Sequence, residues 1–343
     1  MRGGFKQRLQ RYPDLRVVAD VPAAFRSKVD CGVRAAHRIQ WRDRAGFSPA
    51  SRAQTRRVAL IAASRAFLVG GMLLAAASAC TQAALRAPHV HGAQRIVSLV
   101  PSLTEDLFAL GAGARVVAVT QADDYPPQVK RLPAVASFSS VNNEAIVRLH
   151  PDAVVGIPAQ ERLTAALRSA GIPTTFLHDD TYEDIFADIN ALGGITQLRE
   201  AARNLIEALH AKTNRLQRSL ATANGRPRVL FVVNVRPIIV AGRRSFISTL
   251  LTLSGAENAT DVTLAYPSLS AEAVLQAKPD AIVTDDQTQL TAVLATPPWS
   301  SLTAVRRHRI YVLDKAHADV VERPGPRYND GIAWLIARLR HLR

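Results

Sequence analysis

The stretch EAIVRLHPDAVV, from Glu144 to Val155, returns as EAVLQAKPDAIV from Glu272 to Val283, with six of twelve positions identical. In each copy, apolar residues at helical spacing predict a short helix. A Pro-Asp pair then ends the helix, because proline disfavours the helical conformation of the residue before it. The β-branched run that follows is typical of a strand buried in a sheet. Pro-Asp turns before strands are common, so chance similarity is the alternative. We interpret the two copies as the matching element of two α/β lobes.

The rest of the chain alternates strand-like and helical segments around these copies. Strands are predicted at RIVSLV, RVVAVT, DAVVGI and TTFLH in the first half, and at RVLFVV, DAIVTD and RIYVLD in the second. Such alternation predicts parallel sheets with helical crossovers. Between the halves, residues 196–223 contain no proline or glycine, and their leucines recur at helical steps. This pattern predicts one long amphipathic helix.

We therefore predict an α/β fold in which two Rossmann-like lobes with parallel sheets are joined by one long backbone helix. The expected organisation is an upstream segment at 1–55, disordered or outside the true coding start, then an export signal at 56–79 and a linker at 80–94. The N-terminal lobe follows at 95–195, the backbone helix at 196–224 and the C-terminal lobe at 225–343.

The formal charge of +15 lies mainly at the head of the chain. Residues 1–79 hold fifteen Lys or Arg against four Asp, a net +11, and the remainder holds twenty-eight against twenty-four, a net +4. No later basic segment is interleaved with aromatic residues, as nucleic-acid-binding surfaces often are. We therefore expect no nucleic-acid partner.

The head of the chain has the parts of an export signal. TRRVALIAASRAFLVGGMLLAAASAC, ending at Cys80, places arginines before a short apolar run and then small residues. The apolar run is too short for a confident membrane span. Cys80 after Ala-Ser-Ala resembles the lipidated cysteine of bacterial lipoproteins. The alternative is ordinary signal cleavage that leaves Cys80 free.

Nothing in the sequence assembles a catalytic site. There is no G-x-S-x-G elbow, Walker loop or H-E-x-x-H pair, and the nine histidines are scattered. We expect a protein that is not an enzyme. A zinc or manganese receptor is an alternative that would require several His and carboxylate ligands to converge.

Residues 95–343 resemble the class III, helical-backbone periplasmic binding proteins of ABC importers, which carry cobalamin, heme or ferric siderophores. RIVSLVPSLTEDLFALGAGARVVAVTQADDYPPQVK is similar to the opening of the cobalamin-binding branch, and SGAENATD and ERPGPR are similar to segments of its second lobe. The resemblance implies a periplasmic monomer without a resident cofactor. It would capture a corrinoid and deliver it to an ABC permease dimer in the inner membrane, touching the membrane only through a lipid anchor at Cys80. A ferric-siderophore or heme receptor of the same fold is the alternative.

Candidate ligand contacts come from the loops that follow the strands. Ligands of parallel-sheet lobes bind beyond the carboxyl ends of the strands, and Tyr125 sits there on a loop stiffened by two prolines. The resemblance adds Phe138 and Tyr266 at places where cobalamin binders carry tryptophan. It also adds Asp319 and Arg323 in the loop after RIYVLD. The alternatives are core packing for the aromatic residues and a surface ion pair for the charged ones.

The resemblance also implies a docking role for two glutamates. Glu105 and Glu257 would lie at the outer tips of the two lobes and pair with permease arginines. A first-turn helix carboxylate and a solvated loop residue are the respective alternatives. Ile157 and Val233 stand where cobalamin binders have further aromatic residues, which leaves the identity of the ligand open.

Overall fold

The computed structural model describes residues 92–137, 139–220 and 225–342. The upstream segment, the export signal, Cys80 and Phe138 therefore lie outside the described residues. Within these ranges, no helix is long and apolar enough to cross a membrane.

The N-terminal lobe is a five-stranded sheet with the order β3-β2-β1-β4-β5, and all its strand pairs are parallel. The strands are β1 (Ile96–Ser98), β2 (Val116–Thr120), β3 (Ala134–Ala136), β4 (Ala153–Gly156) and β5 (Thr174–Phe176). The helices are α1 (Pro101–Ala109), α2 (Asn143–Arg148), α3 (Ala165–Ser169) and α4 (Tyr182–Thr196). The central strands β1 and β4 are fully buried, which is why they read as continuous apolar runs.

The C-terminal lobe repeats this plan with one change. Its sheet has the order β10-β9-β6-β7, and the short strand β8 also pairs with β6. The strands are β6 (Arg228–Val235), β7 (Ile238–Val240), β8 (Glu257–Asn258), β9 (Ala281–Thr284) and β10 (Ile310–Val312). The helices are α6 (Phe246–Leu253), α7 (Ala271–Gln276), α8 (Gln287–Thr291), α9 (Thr303–Arg306), α10 (Lys315–Glu322) and α11 (Tyr328–Leu339). The pair β6 and β7 is antiparallel, so this sheet is mixed rather than wholly parallel.

The repeated sequence performs the same structural task in both lobes. Its helices are α2 and α7, and its strands are β4 and β9, which pair with the central strands β1 and β6 of the two sheets. The residue before the proline, His150 or Lys278, adopts a left-handed conformation with φ of 46° or 43°. The two copies therefore share a turn as well as a sequence.

The aspartate of each Pro-Asp pair fixes the start of the central strand. Asp152 accepts hydrogen bonds from the backbone N–H groups of Gln94 and Arg95 at 2.7 and 2.9 Å. Asp280 accepts one from the N–H of Arg228 at 2.9 Å. We call Asp152 and Asp280 the strand locks.

An arginine completes the arrangement on each side. The guanidinium of Arg95 donates to the carbonyl of Leu149 at 2.7 Å, and that of Arg228 donates to the carbonyl of Ala277 at 3.2 Å. Leu149 and Ala277 are equivalent positions at the ends of the repeated helices. The repeat is therefore an architectural unit that ties helix, turn and central strand together in each lobe.

The connection between the lobes differs from the single helix predicted over 196–224. The helix α5 runs from Arg199 to Arg218, about 30 Å at 1.5 Å per residue. Thr196 belongs to the preceding helix α4, which ends where Gln197 turns left-handed with φ of 59°. Residues 219 and 220 form a turn, and residues 221–224 lie outside the described part. Residue 197 is glutamine and not a helix-breaking proline or glycine, so the sequence does not indicate that the helix is interrupted there.

A buried polar group joins the backbone helix to the C-terminal lobe. The hydroxyls of Thr213 and Tyr328 lie 2.7 Å apart, and Thr213 also donates to Asn329 at 3.0 Å. The Tyr328 hydroxyl lies 3.3 Å from that of Tyr182 on α4. These contacts bring α4, α5 and α11 together, and they hold the two lobes in one packed body.

Candidate ligand-binding cleft

The N-terminal side of the candidate site is built by the segments that follow β1 and β2. Helix α1 begins at Pro101, where proline is favoured because the missing N–H is not needed. It turns Ser102, Glu105 and Asp106 toward the interior. After β2, the loop carries Asp124 and Tyr125 to the carboxyl edge of the sheet.

A buried aspartate shapes the loop after β2. Asp123 accepts hydrogen bonds from the backbone N–H and the hydroxyl of Thr120 at 2.8 and 2.6 Å. Burial raises the pKa of the Asp123 carboxyl, and the hydrogen bonds from threonine side chains oppose that shift. This local turn fixes the direction in which Asp124 and Tyr125 leave the strand.

The C-terminal side is built by helix α10 and the turn after it. Asp314 caps α10 by accepting the N–H of His317 at 3.0 Å. Asp319 was predicted in a loop, but the structure places it within this helix, because the Asp314 cap starts helical structure directly after β10. Lys315, Asp319 and Arg323 recur every four residues, so their side chains lie along one face.

The charged groups of the two sides meet across the cleft. Glu105 is 3% exposed. Its carboxylate accepts from Arg323 Nη1 at 2.6 Å and from Arg327 Nε and Nη2, each at 2.7 Å. Both arginines come from the other lobe. The bidentate pairing with Arg327 is the strong geometry for a guanidinium and a carboxylate.

A second set of contacts extends this pairing toward solvent. Lys315 Nζ hydrogen-bonds Asp124 of the opposite lobe and also reaches Asp319 Oδ2 at 2.9 Å. Arg323 Nη2 donates to Asp319 Oδ1 at 3.0 Å, and Arg323 Nη1 lies 3.8 Å from Asp124 Oδ1. With Glu105 and Arg327, these residues form what we call the inter-lobe charge cluster.

The charges of this cluster are balanced, and the titration of its members reflects that. Burial would raise the pKa of Asp124, but the hydrogen bond and charge of Lys315 and the nearby arginines hold it below its ordinary value. Burial would lower the pKa of Lys315, but Asp124 and Asp319 raise it. Arg327 likewise has a raised pKa, because Glu105 outweighs the effect of burial. These opposite charges therefore keep Asp124, Lys315 and Arg327 ionised at neutral pH.

Tyr125 lies beside this cluster and keeps an open face. Its side chain belongs to the few large apolar groups that are exposed, at 44%. The guanidinium carbon of Arg327 lies 3.8 Å from the centre of its ring, a cation–π contact. Tyr125 thus lies beside the inter-lobe charge cluster, which contains Asp319 and Arg323. That these three residues contact a ligand stays a prediction.

The other predicted site residues are placed differently. Tyr266 is 7% exposed and packs in the same apolar core as Ile239 and Phe246, the arrangement expected from core packing. Glu257 is half exposed in β8 and lies 3.7 Å from Arg228, not at the start of a helix. Glu105 was expected at an outer tip, but its burial against two arginines withdraws its carboxylate from partners.

Three members of the inter-lobe charge cluster show no signal of their own in the sequence. Asp124, Lys315 and Arg327 were not predicted as site residues. The four-residue spacing of Lys315, Asp319 and Arg323 was a usable signal for a charged helix face. The pairing with Glu105 was not readable, because the partners are separated by 218 and 222 residues along the chain.

A layer of buried aspartates lies beneath α1. Burial, followed by the charge of Asp188, raises the pKa of Asp106 well above its ordinary value. Burial and the charge of Asp179 raise the pKa of Asp188 to about 8. Ser102 donates to Asp179 at 2.7 Å. No set of three or more His, Cys, Asp or Glu side chains that could hold a metal ion occurs within the described ranges.

Comparison with known proteins agrees with this architecture. The sequence profile of the periplasmic binding protein family matches residues 96–317. The chain belongs to this family. The B12-binding protein of Vibrio cholerae is 31% identical over 253 residues, which cover 72% of this chain and 90% of the relative. The ABC transporter substrate-binding lipoprotein YvrC of Bacillus subtilis is 31% identical over 250 residues, covering 71% and 78% of the two chains.

A solved structure extends the comparison to the fold. The periplasmic heme-binding protein BhuT, in complex with two hemes, superposes with a TM-score of 0.64 and 28% identity. The match covers 72% of this chain and 98% of BhuT. As a periplasmic binding protein, the chain is the substrate-binding component of an ABC importer. Members of the family bind substrates and are not enzymes, so that expectation is confirmed.

Proposed function

We propose that this periplasmic binding protein captures a corrinoid in the cleft between its lobes and delivers it to an ABC permease. The observation that carries the proposal is Tyr125, an exposed ring held on a Pro-rich loop against Arg327 where both lobes meet. An exposed aromatic face of this kind suits a large flat macrocycle. The B12-binding relatives at 31% identity support the same ligand class.

The charge cluster supplies the polar side of such a site. Asp124, Asp319 and Arg323 are placed to meet amide groups at the edge of a corrin, since carboxylates accept and guanidinium groups donate hydrogen bonds. The same cations also suit carboxylate-bearing ligands. We therefore propose a heme or ferric-siderophore receptor as the second candidate, supported by the heme-binding BhuT.

Direct titration distinguishes these candidates. The purified protein should be titrated calorimetrically with cyanocobalamin, hemin and a ferric siderophore under one buffer condition. The proposal expects saturable one-to-one binding of cyanocobalamin that is at least tenfold tighter than binding of the other two. Tighter binding of hemin or of the siderophore would establish the second candidate instead, and no binding of any of the three would reject both.

We further propose that the protein is anchored to the membrane by a lipid on Cys80. We also propose that it docks to its ABC permease through exposed carboxylates, one on each lobe. Glu257 keeps about half of its side chain exposed, and Glu144, at the start of α2, keeps 89%. The proposal assigns docking to Glu144 and no longer to Glu105, because only the carboxylate of Glu144 is accessible.

The lipid anchor has its own test. Mass spectrometry of the exported protein should detect an acylated N-terminal Cys80. An unmodified Cys80 would reject the anchor.

A further inference from the structure

One surface of the C-terminal lobe is unusually rich in arginine. The turn between α9 and β10 reads RRHR at 306–309, and the end of α11 reads RLRH at 338–341. Arg306, Arg307, Arg338 and Arg340 are exposed, and Arg309 is half-buried. We call these five residues the arginine face.

The two segments lie close together at the amino end of β10. The hydroxyl of Tyr311 and Nε2 of His341 are 2.7 Å apart, which joins the strand to the residues just after α11. Burial raises the pKa of Tyr311, and the charges of Arg309 and Arg338 both act against that shift. Arginines from both segments therefore surround one tyrosine.

The cations of this face lack acidic partners. Across the described ranges, no carboxylate forms an ion pair with any of the five arginines. Residues 303–313 and 331–342 contain no Asp or Glu. Asp280, at the start of the adjacent strand β9, is bound to the backbone of Arg228, and Asp330 is paired with Lys212.

The close grouping of unpaired arginines distinguishes this face from the other cationic parts of the described chain. In the cleft, Lys315, Arg323 and Arg327 are each paired with a carboxylate. On helix α5, the exposed arginines also form no ion pair within the described ranges, but they are spread along 20 residues, and Glu200 and Glu207 lie among them. Arginine at a helix C-terminus is favourable to the helix dipole, but that effect is confined to the last turn and does not require five uncompensated cations.

We propose that the arginine face binds the anionic phospholipid headgroups of the membrane beside which the protein works. Guanidinium groups pair with phosphate in a bidentate manner, so a group of unpaired arginines suits a surface of phosphodiesters. A basic patch and a single lipid chain together give stable membrane attachment where one chain gives only marginal binding.

The proposed anchor brings this surface within reach of the membrane. The chain from Cys80 to Gly92 spans at most about 40 Å when extended, so an acylated Cys80 would hold the lobes near the bilayer. The inference rests on the proposed extracytoplasmic location. Its test uses neither the anchor nor the cleft ligand, so it can fail independently of the proposed function.

The test measures co-sedimentation with lipid vesicles. The protein should lack residues 1–80, and a single cooperative thermal unfolding transition should establish that it is folded before vesicles are added. Vesicles of phosphatidylcholine alone are compared with vesicles containing one quarter phosphatidylglycerol. We expect binding only to the anionic vesicles, with loss of binding at high salt, because counterions screen such contacts.

A variant and a matched control locate the binding surface. The variant R306Q/R307Q/R338Q/R340Q should bind anionic vesicles at least tenfold more weakly. The control R199Q/R203Q/R215Q/R218Q removes the same charge from exposed positions on α5 and should bind like the parent protein. Both should keep the parent melting temperature and the parent far-UV circular dichroism spectrum. If the variant unfolds, the pair R338Q/R340Q replaces it, with an expected loss of at least threefold.

Three results would overturn the inference. Equal weakening in the variant and the control would mean that net charge alone governs binding. Equal binding to both kinds of vesicle would remove the role of anionic headgroups. Tighter binding of a single-stranded oligonucleotide than of anionic vesicles, lost in the same variant, would assign the face to a nucleic acid.

Discussion

At the scale of single residues, Tyr125 is the best test of the proposed cleft. Its ring is exposed and held in place, and stacking on an aromatic ring contributes about 0.5–1.5 kcal/mol beyond burial. Tyr125→Ala should weaken ligand binding by roughly threefold to tenfold, measured by calorimetry, with little change in melting temperature.

Tyr266→Ala provides the contrasting control. Because Tyr266 is buried, its truncation should lower the free energy of unfolding by about 3–5 kcal/mol, as for other large core residues. Unchanged affinity in Tyr125→Ala, measured at matched protein stability, would contradict the assignment of Tyr125 to the site.

Asp188 makes stability depend on pH. Its folded pKa of about 8 exceeds the value near 3.9 of an unfolded aspartate, because the site is buried and faces Asp179, Asp184 and Asp180. The folded state therefore holds a proton that the unfolded state releases. This stabilisation is fully present below about pH 4 and is lost as pH rises through about 8.

Replacing the carboxyl by an amide removes that dependence. One pKa unit corresponds to about 1.4 kcal/mol, so Asp188→Asn should be more stable than the parent at pH 9 by at least about 1 kcal/mol. Urea unfolding at pH 5, 7 and 9 measures this. Asp261→Asn, an exposed control with 85% of its side chain accessible, should follow the parent at every pH. Parallel pH profiles for Asp188→Asn and the parent would refute a raised pKa at Asp188.

At the scale of the elements, the strand locks give each sheet its central strand. A carboxylate hydrogen bond to a backbone N–H contributes about 1.5–3 kcal/mol, and Asp152 makes two such bonds whereas Asp280 makes one. Asp152→Ala should therefore destabilise more than Asp280→Ala, by about 1 kcal/mol or more in urea unfolding. Asp261→Ala should have no effect. Equal stability of all three variants would show that the strand locks do not stabilise the fold.

The elements differ in how well the sequence predicts them. Strands β4, β6 and β9 are found because they are continuous apolar runs buried on both faces. Strands β3, β7 and β8, of two or three residues, were not predicted. Strands β1, β5 and β10 are as short, but each lies within a strand-like run of five or six residues that made it visible. The break at Gln197 is set by how α4 packs on α5, so local propensity gives no sign of it. The arginines that pair with Glu105 belong to the other lobe, so this contact exists only in the folded molecule and the sequence does not show it.

At the scale of the whole molecule, docking to a permease should use charges that ligand binding does not. Charges at the rim of an interface set the encounter rate and the orientation more than the affinity for other ligands. Glu144→Lys combined with Glu257→Lys should leave cyanocobalamin titration unchanged and abolish uptake or complex formation with the permease. Glu200→Lys combined with Glu207→Lys, which reverses the same charge at exposed positions of α5, is the matched control. Normal uptake by the double variant would rule out a docking role for both glutamates.

The inter-lobe charge cluster also determines how a ligand is admitted. Each of its three cations is already bound to a carboxylate of the opposite lobe. A ligand edge that hydrogen-bonds these cations must replace a carboxylate partner, while its flat face can meet the open side of the Tyr125 ring. Binding at the cluster is therefore an exchange of partners and not a simple addition. Salt weakens the exposed pair of Lys315 and Asp124 more than it weakens contacts with a neutral macrocycle. A corrinoid should therefore bind roughly twofold to threefold more tightly at 0.5 M than at 0.05 M salt, whereas an anionic ligand held by the same cations would bind more weakly.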